Sequence, residues 1–115
     1  MKTVLIIDQD RQSAHQLALA FLDRGIGAAL VETVSEGVRV LLTETVSLVV
    51  VDPSLLRLTL REQALLFDRV APGVPVVIAA PATASLEART SWELAGFTVV
   101  VRPVVVDELL KATAR

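Results

Sequence analysis

Two apolar runs in this chain each stop at an aspartate. Val4-Leu5-Ile6-Ile7 ends on Asp8, and Leu48-Val49-Val50-Val51 ends on Asp52. Short runs of this kind read as strands buried on both faces of a parallel sheet. Ligands of open α/β sheets sit just beyond the carboxyl ends of such strands. Two carboxylates delivered to that edge have two chemical uses. They can hold a divalent cation through oxygen ligands, or they can take part in phosphoryl transfer, where positioning and charge neutralisation do most of the work.

Other chemistries find little support. The chain has no cysteine and one histidine, His15. Disulfides and thiolate metal sites are excluded, and so is a histidine-rich metal site within one chain. A nucleophile–histidine–carboxylate set around His15 is not expected, because that residue sits beside the apolar stripe of a helix and reads as solvated surface. Gly25-Ile26-Gly27 follows a helix and precedes a strand, the reverse of the order a dinucleotide site requires.

The positioning elements follow from the pattern. The chain has 115 residues and is 53% hydrophobic, with a formal net charge of −2. One domain spanning residues 1–115 is expected. The charge gives no basic footprint for nucleic acid. Apolar runs stay short of a spanning helix, the longest being split by Arg102 and Pro103. Met1-Lys2-Thr3 leads directly into a strand, so no signal peptide and a cytoplasmic location are expected.

Strands are predicted over Thr3 to Ile7, Ala28 to Glu32, Ser47 to Val51, Val76 to Ala80 and Thr98 to Val101. Helices alternate with them. Asp10 caps a helix from about Arg11 to Asp23, whose stripe is Ala14, Leu17, Ala18, Phe21 and Leu22. Thr33-Val34-Ser35-Glu36 and Thr59-Leu60-Arg61-Glu62 are capping boxes, opening helices to about Leu42 and Ala71. Ser85 caps a helix to Ala95, and Asp107 caps a short last one. Five strands alternating with five helices predict an α/β, doubly wound parallel sheet.

In this layout the chain resembles a bacterial response-regulator receiver domain over almost its whole length. The resemblance rests on the order and spacing of Asp8-Gln9, Asp52, Ala80 and Arg102-Pro103. It implies the flavodoxin-like strand order 2-1-3-4-5. It makes Asp52 the candidate phosphoacceptor. Asp8, Gln9 and Asp52 become the candidate Mg²⁺ ligands. Ala80 takes the family's Thr/Ser position and Arg102 its lysine position.

The departures from the family pattern are chemical. Gln9 stands where the family carries the carboxylate that contacts the metal. A unit charge pair 4 Å apart is worth about 4 kcal/mol at surface-like dielectric, before desolvation and screening. Losing a fraction of that weakens Mg²⁺ binding by a decade or more. Ala80 has no hydroxyl for a phosphoryl group, a loss of about 1 kcal/mol for a typical hydrogen bond. Val99 replaces the aromatic residue coupled to that hydroxyl. Arg102 keeps the cation without the compact ammonium geometry, and the Arg102–Pro103 bond is a candidate cis peptide. Pro53 removes an N–H from the site mouth, which Leu55, Leu56 and Leu58 make apolar.

These departures predict a degenerate receiver-like domain, a pseudo-receiver. It would not be an enzyme and would signal through protein contacts with a histidine kinase, an effector domain or a second copy. Trp92, Val104, Val105 and Val106 are the candidate contact residues, with burial in the core the competing expectation for Trp92 and for part of the valine run. Two alternatives stand beside this reading. One is a phosphorylatable receiver that takes phosphate on Asp52 from a histidine kinase with Mg²⁺. The other is a small-ligand sensor using the apolar mouth around Leu55 and Leu56.

Overall fold

The computed structural model describes residues 2–56 and 59–113, so Leu58 of the expected apolar mouth lies outside the described residues. In chain order the elements are β1 (Thr3–Ile7), α1 (Arg11–Leu22), β2 (Gly27–Val31), α2 (Val34–Thr43), β3 (Leu48–Val51), α3 (Leu60–Val70), β4 (Val76–Ala80), α4 (Leu86–Leu94), β5 (Thr98–Val101) and α5 (Val106–Thr113). The strands form one parallel sheet in the order β2-β1-β3-β4-β5. This is the flavodoxin-like arrangement that the family resemblance implies. No helix among the described residues is long and apolar enough to cross a membrane.

The central strands are buried twice because helices cover both faces. Side chains alternate across a strand, and the alternation divides the core. Val4, Ile6, Leu48, Val50, Val77 and Ala79 pack with Ala14 and Phe21 of α1 and Val106 and Leu109 of α5. Leu5, Ile7, Val49, Val51, Ile78 and Ala80 face the other way, packing with Leu41 of α2 and Phe67 of α3. Phe67 meets Phe97 edge to face, with ring centroids 6.5 Å apart and planes at 83°. At Gly37 the second helix comes so close that a Cβ would lie 2.6 Å from Ile7 Cδ1.

The predicted caps on four helices are in place. Asp10 accepts from the Gln12 and Ser13 N–H groups, and Thr33, Thr59 and Ser85 each accept from the N–H three residues on. Two expectations are corrected. Leu22 is 56% exposed, because it lies at the edge of the α1 stripe while its neighbour Phe21 fills the core. Asp107 is not a cap: α5 starts at Val106, and Asp107 in its first turn receives two hydrogen bonds from Arg24, at 2.6 and 2.9 Å.

The Arg24–Asp107 pair ties the end of α1 to α5. The hydrogen bond from Arg24 holds the Asp107 carboxyl below the ordinary carboxylate range. A carboxyl lowered on folding adds stability that is fully present above its unfolded pKa and is lost as pH falls through the folded one. Wild type is therefore expected to unfold at slightly higher urea than Asp107→Asn at neutral pH. The two midpoints should converge at pH below the ordinary carboxylate range, once the lowered carboxyl is protonated, and the neutral-pH gap should shrink with added salt because the pair is exposed. A gap that persists at low pH would mean that Asp107 acts through packing and not through its charge.

Candidate functional site

Asp8 and Asp52 leave the sheet from adjacent strands, on the α1–α5 side. Their numbers share the parity of Ile6 and Val50, whose side chains face that way. The Asp52 N–H donates to the Ile7 carbonyl oxygen at 3.0 Å, so the strand pairing itself sets the two aspartates side by side. They open on a cavity of about 610 Å³, whose polar lining includes Ser13, Thr83 and Arg102.

Arg102 dominates this site. Its backbone N–H donates to the Ala80 carbonyl at 2.8 Å, continuing the β4–β5 ladder beyond Val101. Its Nε donates to the Ala79 carbonyl at 3.1 Å, which turns the guanidinium inward. Nη2 then donates to Asp8 Oδ2 at 3.1 Å and lies 4.0 Å from Asp52 Oδ2. The Arg102–Pro103 peptide is cis. A cation bonded to one carboxylate and close to the other offsets part of their charge, leaving one negative charge in excess across the three groups.

The remaining carboxylate oxygens are also engaged. Asp8 is 6% exposed, and its Oδ1 accepts from the Asp10 N–H at 2.9 Å. Asp52 Oδ1 accepts from the Ser54 N–H at 3.0 Å, capping a short 3₁₀ turn over Pro53–Leu55 that the sequence pattern does not predict. Asp52 keeps 25% of its side chain exposed. Asp10 serves its helix: the Ser13 N–H and the other local donors hold its carboxyl below the usual range. Among the described residues no group of three or more His, Cys, Asp or Glu is placed to hold a metal ion.

The other candidates fall in different places. Gln9 does not join Asp8 and Asp52. It is exposed and lines a second cavity with Thr33, Leu55 and Gln63. The expected ligand trio Asp8, Gln9 and Asp52 is therefore corrected to a pair. With both Asp8 oxygens engaged and a guanidinium between the carboxylates, that pair does not fit a divalent cation as it stands. Ala80 ends β4 fully buried, on the face opposite Asp8 and Asp52, and its side chain offers only a methyl group. Val99 is half-buried against the same cluster.

The contact residues divide similarly. Val106 is 2% exposed and packs under α5, so it is corrected from surface to core. Val104 is half-buried beside it, and only Val105 is exposed, at 47%. Trp92 is half-buried against the α2–α4 face of the core. The apolar residues most open to solvent on this side are Leu86 and Leu94 of α4. They escaped the sequence reading because each closes one end of a helix whose periodicity is weak. Gln63 also escaped it. It occupies an inward position of α3 with Leu60, Ala64 and Phe67, where the helical stripe calls for an apolar residue, and that mismatch was its one visible mark.

No protein-family model matches the chain. No curated protein matches it either. Solved structures do. A response regulator from Burkholderia pseudomallei, solved with a phosphorylated aspartic acid, calcium and citrate, superposes with a TM-score of 0.82 at 23% identity; the match covers 98% of this chain and 66% of that one. The receiver domain of a sensor histidine kinase from Pseudomonas aeruginosa, with magnesium coordinated in its active-site cleft, gives 0.77 at 17% identity, covering 97% and 93%. A CheY-like receiver domain protein from Methanospirillum hungatei gives 0.79 at 23% identity, covering 96% and 89%. This chain has the fold of those receiver domains.

Proposed function

We propose that this chain is a degenerate receiver-type signalling domain that acts through contacts with other proteins and not by taking up phosphate. One observation carries the reading: the Arg102 guanidinium, bonded to Asp8 and 4.0 Å from Asp52, lies between the two carboxylates. The similar Pseudomonas domain coordinates magnesium in its cleft, and the Burkholderia regulator carries its phosphoryl group on an aspartate in the presence of calcium. Here a tethered monovalent cation supplies part of the charge that a metal would bring. The acid beside Asp8 is replaced by an amide turned to another cavity. Ala80 offers no hydroxyl to a phosphoryl group. On this reading the chain turns over no substrate, and its partners are a histidine kinase, an effector domain or a second copy. Leu86 and Leu94 of α4 and Val105 are among the exposed apolar groups available to such a partner.

A second reading, phosphorylation of Asp52, is favoured by the exposure of that carboxylate at the mouth of the 610 Å³ cavity. One experiment separates the two. The protein is incubated with Mg²⁺ and acetyl phosphate and weighed intact, and in parallel titrated with beryllofluoride by NMR. We expect no added phosphoryl mass and no saturable beryllofluoride shift at residues around Asp52. A stoichiometric adduct that Asp52→Ala abolishes would establish the second reading and overturn the first.

A further inference from the structure

β2 is an outer strand of the sheet and pairs only with β1 among the described strands. The Gly27 N–H donates to the Lys2 carbonyl and the Val31 carbonyl accepts from the Asp8 N–H, both at 3.0 Å. Odd-numbered residues of β2 therefore turn their backbone groups to β1, while Ala28 and Leu30 each turn an N–H and a C=O to the open edge. Native proteins blunt such an edge with a charge, a proline or a bulge. β2 reads Gly-Ala-Ala-Leu-Val and keeps a one-to-one register with β1, so it carries none of these. The helix beside it is apolar on the same side. Arg11, His15, Leu19 and Leu22 fall on one flank of α1. Arg11 and His15 share a cavity with Leu30 and Glu32, which sets that flank toward the β2 edge. Leu19, Leu22 and Leu30 are 60%, 56% and 39% exposed.

We infer that a second copy of this chain pairs with β2, antiparallel and about a two-fold axis through Ala29, joining the two sheets into one. The outward-facing residues set the register: Ala28 comes opposite the partner's Leu30, and each such pair exchanges both backbone hydrogen bonds. The axis stands perpendicular to the sheet, so both α1 helices lie on one face and their Leu19 and Leu22 side chains close over Leu30 from two sides. An extended peptide would satisfy the edge and leave this leucine flank in water, whereas an identical copy brings an identical flank. Charge agrees with the same register. Glu32 comes opposite the partner's Ile26, which is the neighbour of the partner's Lys2 on β1. Two strand spacings, about 10 Å, then separate the Glu32 and Lys2 backbones, within reach of two long side chains. Both residues share the parity of Val4 and Ala28, which face α1. Lys2 is exposed and makes no ion pair among the described residues. The contact is isologous and closes at two copies. It rests on the reading that this domain acts through protein contacts, and Asp52 takes no part in it.

The test is sedimentation of the full chain from about 10 μM to about 1 mM, the range of small, weak interfaces. We expect monomer to convert to dimer with concentration, and amide exchange at Ala28 and Leu30 to slow as the dimer forms. Leu30→Pro removes an outward N–H without touching a bond to β1, and should weaken association about tenfold or more. Lys2→Glu and Glu32→Lys should each weaken self-association. An equimolar mixture of those two variants should dimerise, because only the mixed pair brings opposite charges together at both ends of the contact. Lys2 and Glu32 lie at the surface, so this exchange tests the register even where Leu30→Pro fails to fold. Leu94→Lys, on the helix that packs against β5 at the other edge of the sheet, should dimerise as wild type does. The inference is overturned by a monomer at every concentration, by a dimer that the Leu30 and charge variants leave unchanged, or by one that Leu94→Lys dissociates. None of those results bears on the acetyl phosphate experiment, and an adduct on Asp52 there would leave this edge as it is.

Discussion

Arg102→Gln is expected to bind Mg²⁺ at least tenfold more tightly than wild type does. In wild type the guanidinium donates to Asp8 at 3.1 Å and stands 4.0 Å from Asp52. At that separation a unit charge pair is worth about 4 kcal/mol at an effective dielectric of 20. Taking even a third of that from the attraction a cation feels changes its affinity tenfold. The substitution keeps a polar side chain but removes the charge together with the donors to Asp8 and to the Ala79 carbonyl, leaving two carboxylates on adjacent strands with no fixed counter-ion.

The metal-free variant should pay for this in stability. Removing one partner of a fully buried pair costs about 3–5 kcal/mol. Asp8 is almost fully buried, but the Arg102 side chain is 30% exposed, so a loss of roughly 1–3 kcal/mol is expected after screening. Mg²⁺ at ten times its dissociation constant should return about 1.4 kcal/mol of it. The measurement is thermal unfolding with and without Mg²⁺. The melting temperature of Arg102→Gln should rise with the cation while that of wild type stays level. Equal responses in the two proteins would show that the guanidinium does not keep metal out.

Phe67→Ala should bring the domain close to unfolding. Phe67 is 2% exposed and stacks edge to face on Phe97 in the cluster that holds β1, β3 and β4 against α2 and α3. Truncating such a ring removes its burial and leaves a cavity in a close-packed face, at a cost of about 3–5 kcal/mol. Total stabilities of single domains are about 5–15 kcal/mol, so a large fraction is lost. Leu65 lies on the same helix and is half exposed, so Leu65→Ala should cost about 0.5 kcal/mol or less. In urea the Phe67→Ala midpoint should fall sharply with an unchanged slope. A loss below about 1 kcal/mol would mean that the Phe67 site collapses around the smaller side chain, a response this packing does not predict.

The strands and helices were legible because each carries a local mark: a β-branched run, a capping residue, a glycine just past an end. The two aspartates were legible for the same reason, since a strand's end delivers its residue to the sheet's edge. What the Arg102 side chain does was not, because it depends on a long flexible chain folding back to carbonyls at Ala79 and carboxylates at Asp8. Gln9 could have been placed. It shares the parity of Ile7, so its side chain belongs on the α2–α3 side while Asp8 goes to the α1 side. Reading Asp8-Gln9 as an adjacent pair hid that alternation. The valine run was harder, because the chain changes direction at Pro103 and no period runs through the turn. Asp107 lies two positions past the cap of its helix, which is Val105.

β5 is one of the two outer strands of the sheet, pairing only with β4 among the described strands, and Val101 is 41% exposed. From Val99 to Val106 every residue is valine except Arg102 and Pro103. In the unfolded chain a continuous valine segment is a template for another chain to pair with, the first step of fibril growth. Arg102 places a charge in the middle of that segment, and Pro103 removes the N–H that pairing would need. The dipeptide that closes the acidic site thus also works as a gatekeeper against self-assembly, and selection to keep this protein from aggregating can hold Arg102 and Pro103 in place even where no phosphate is ever transferred.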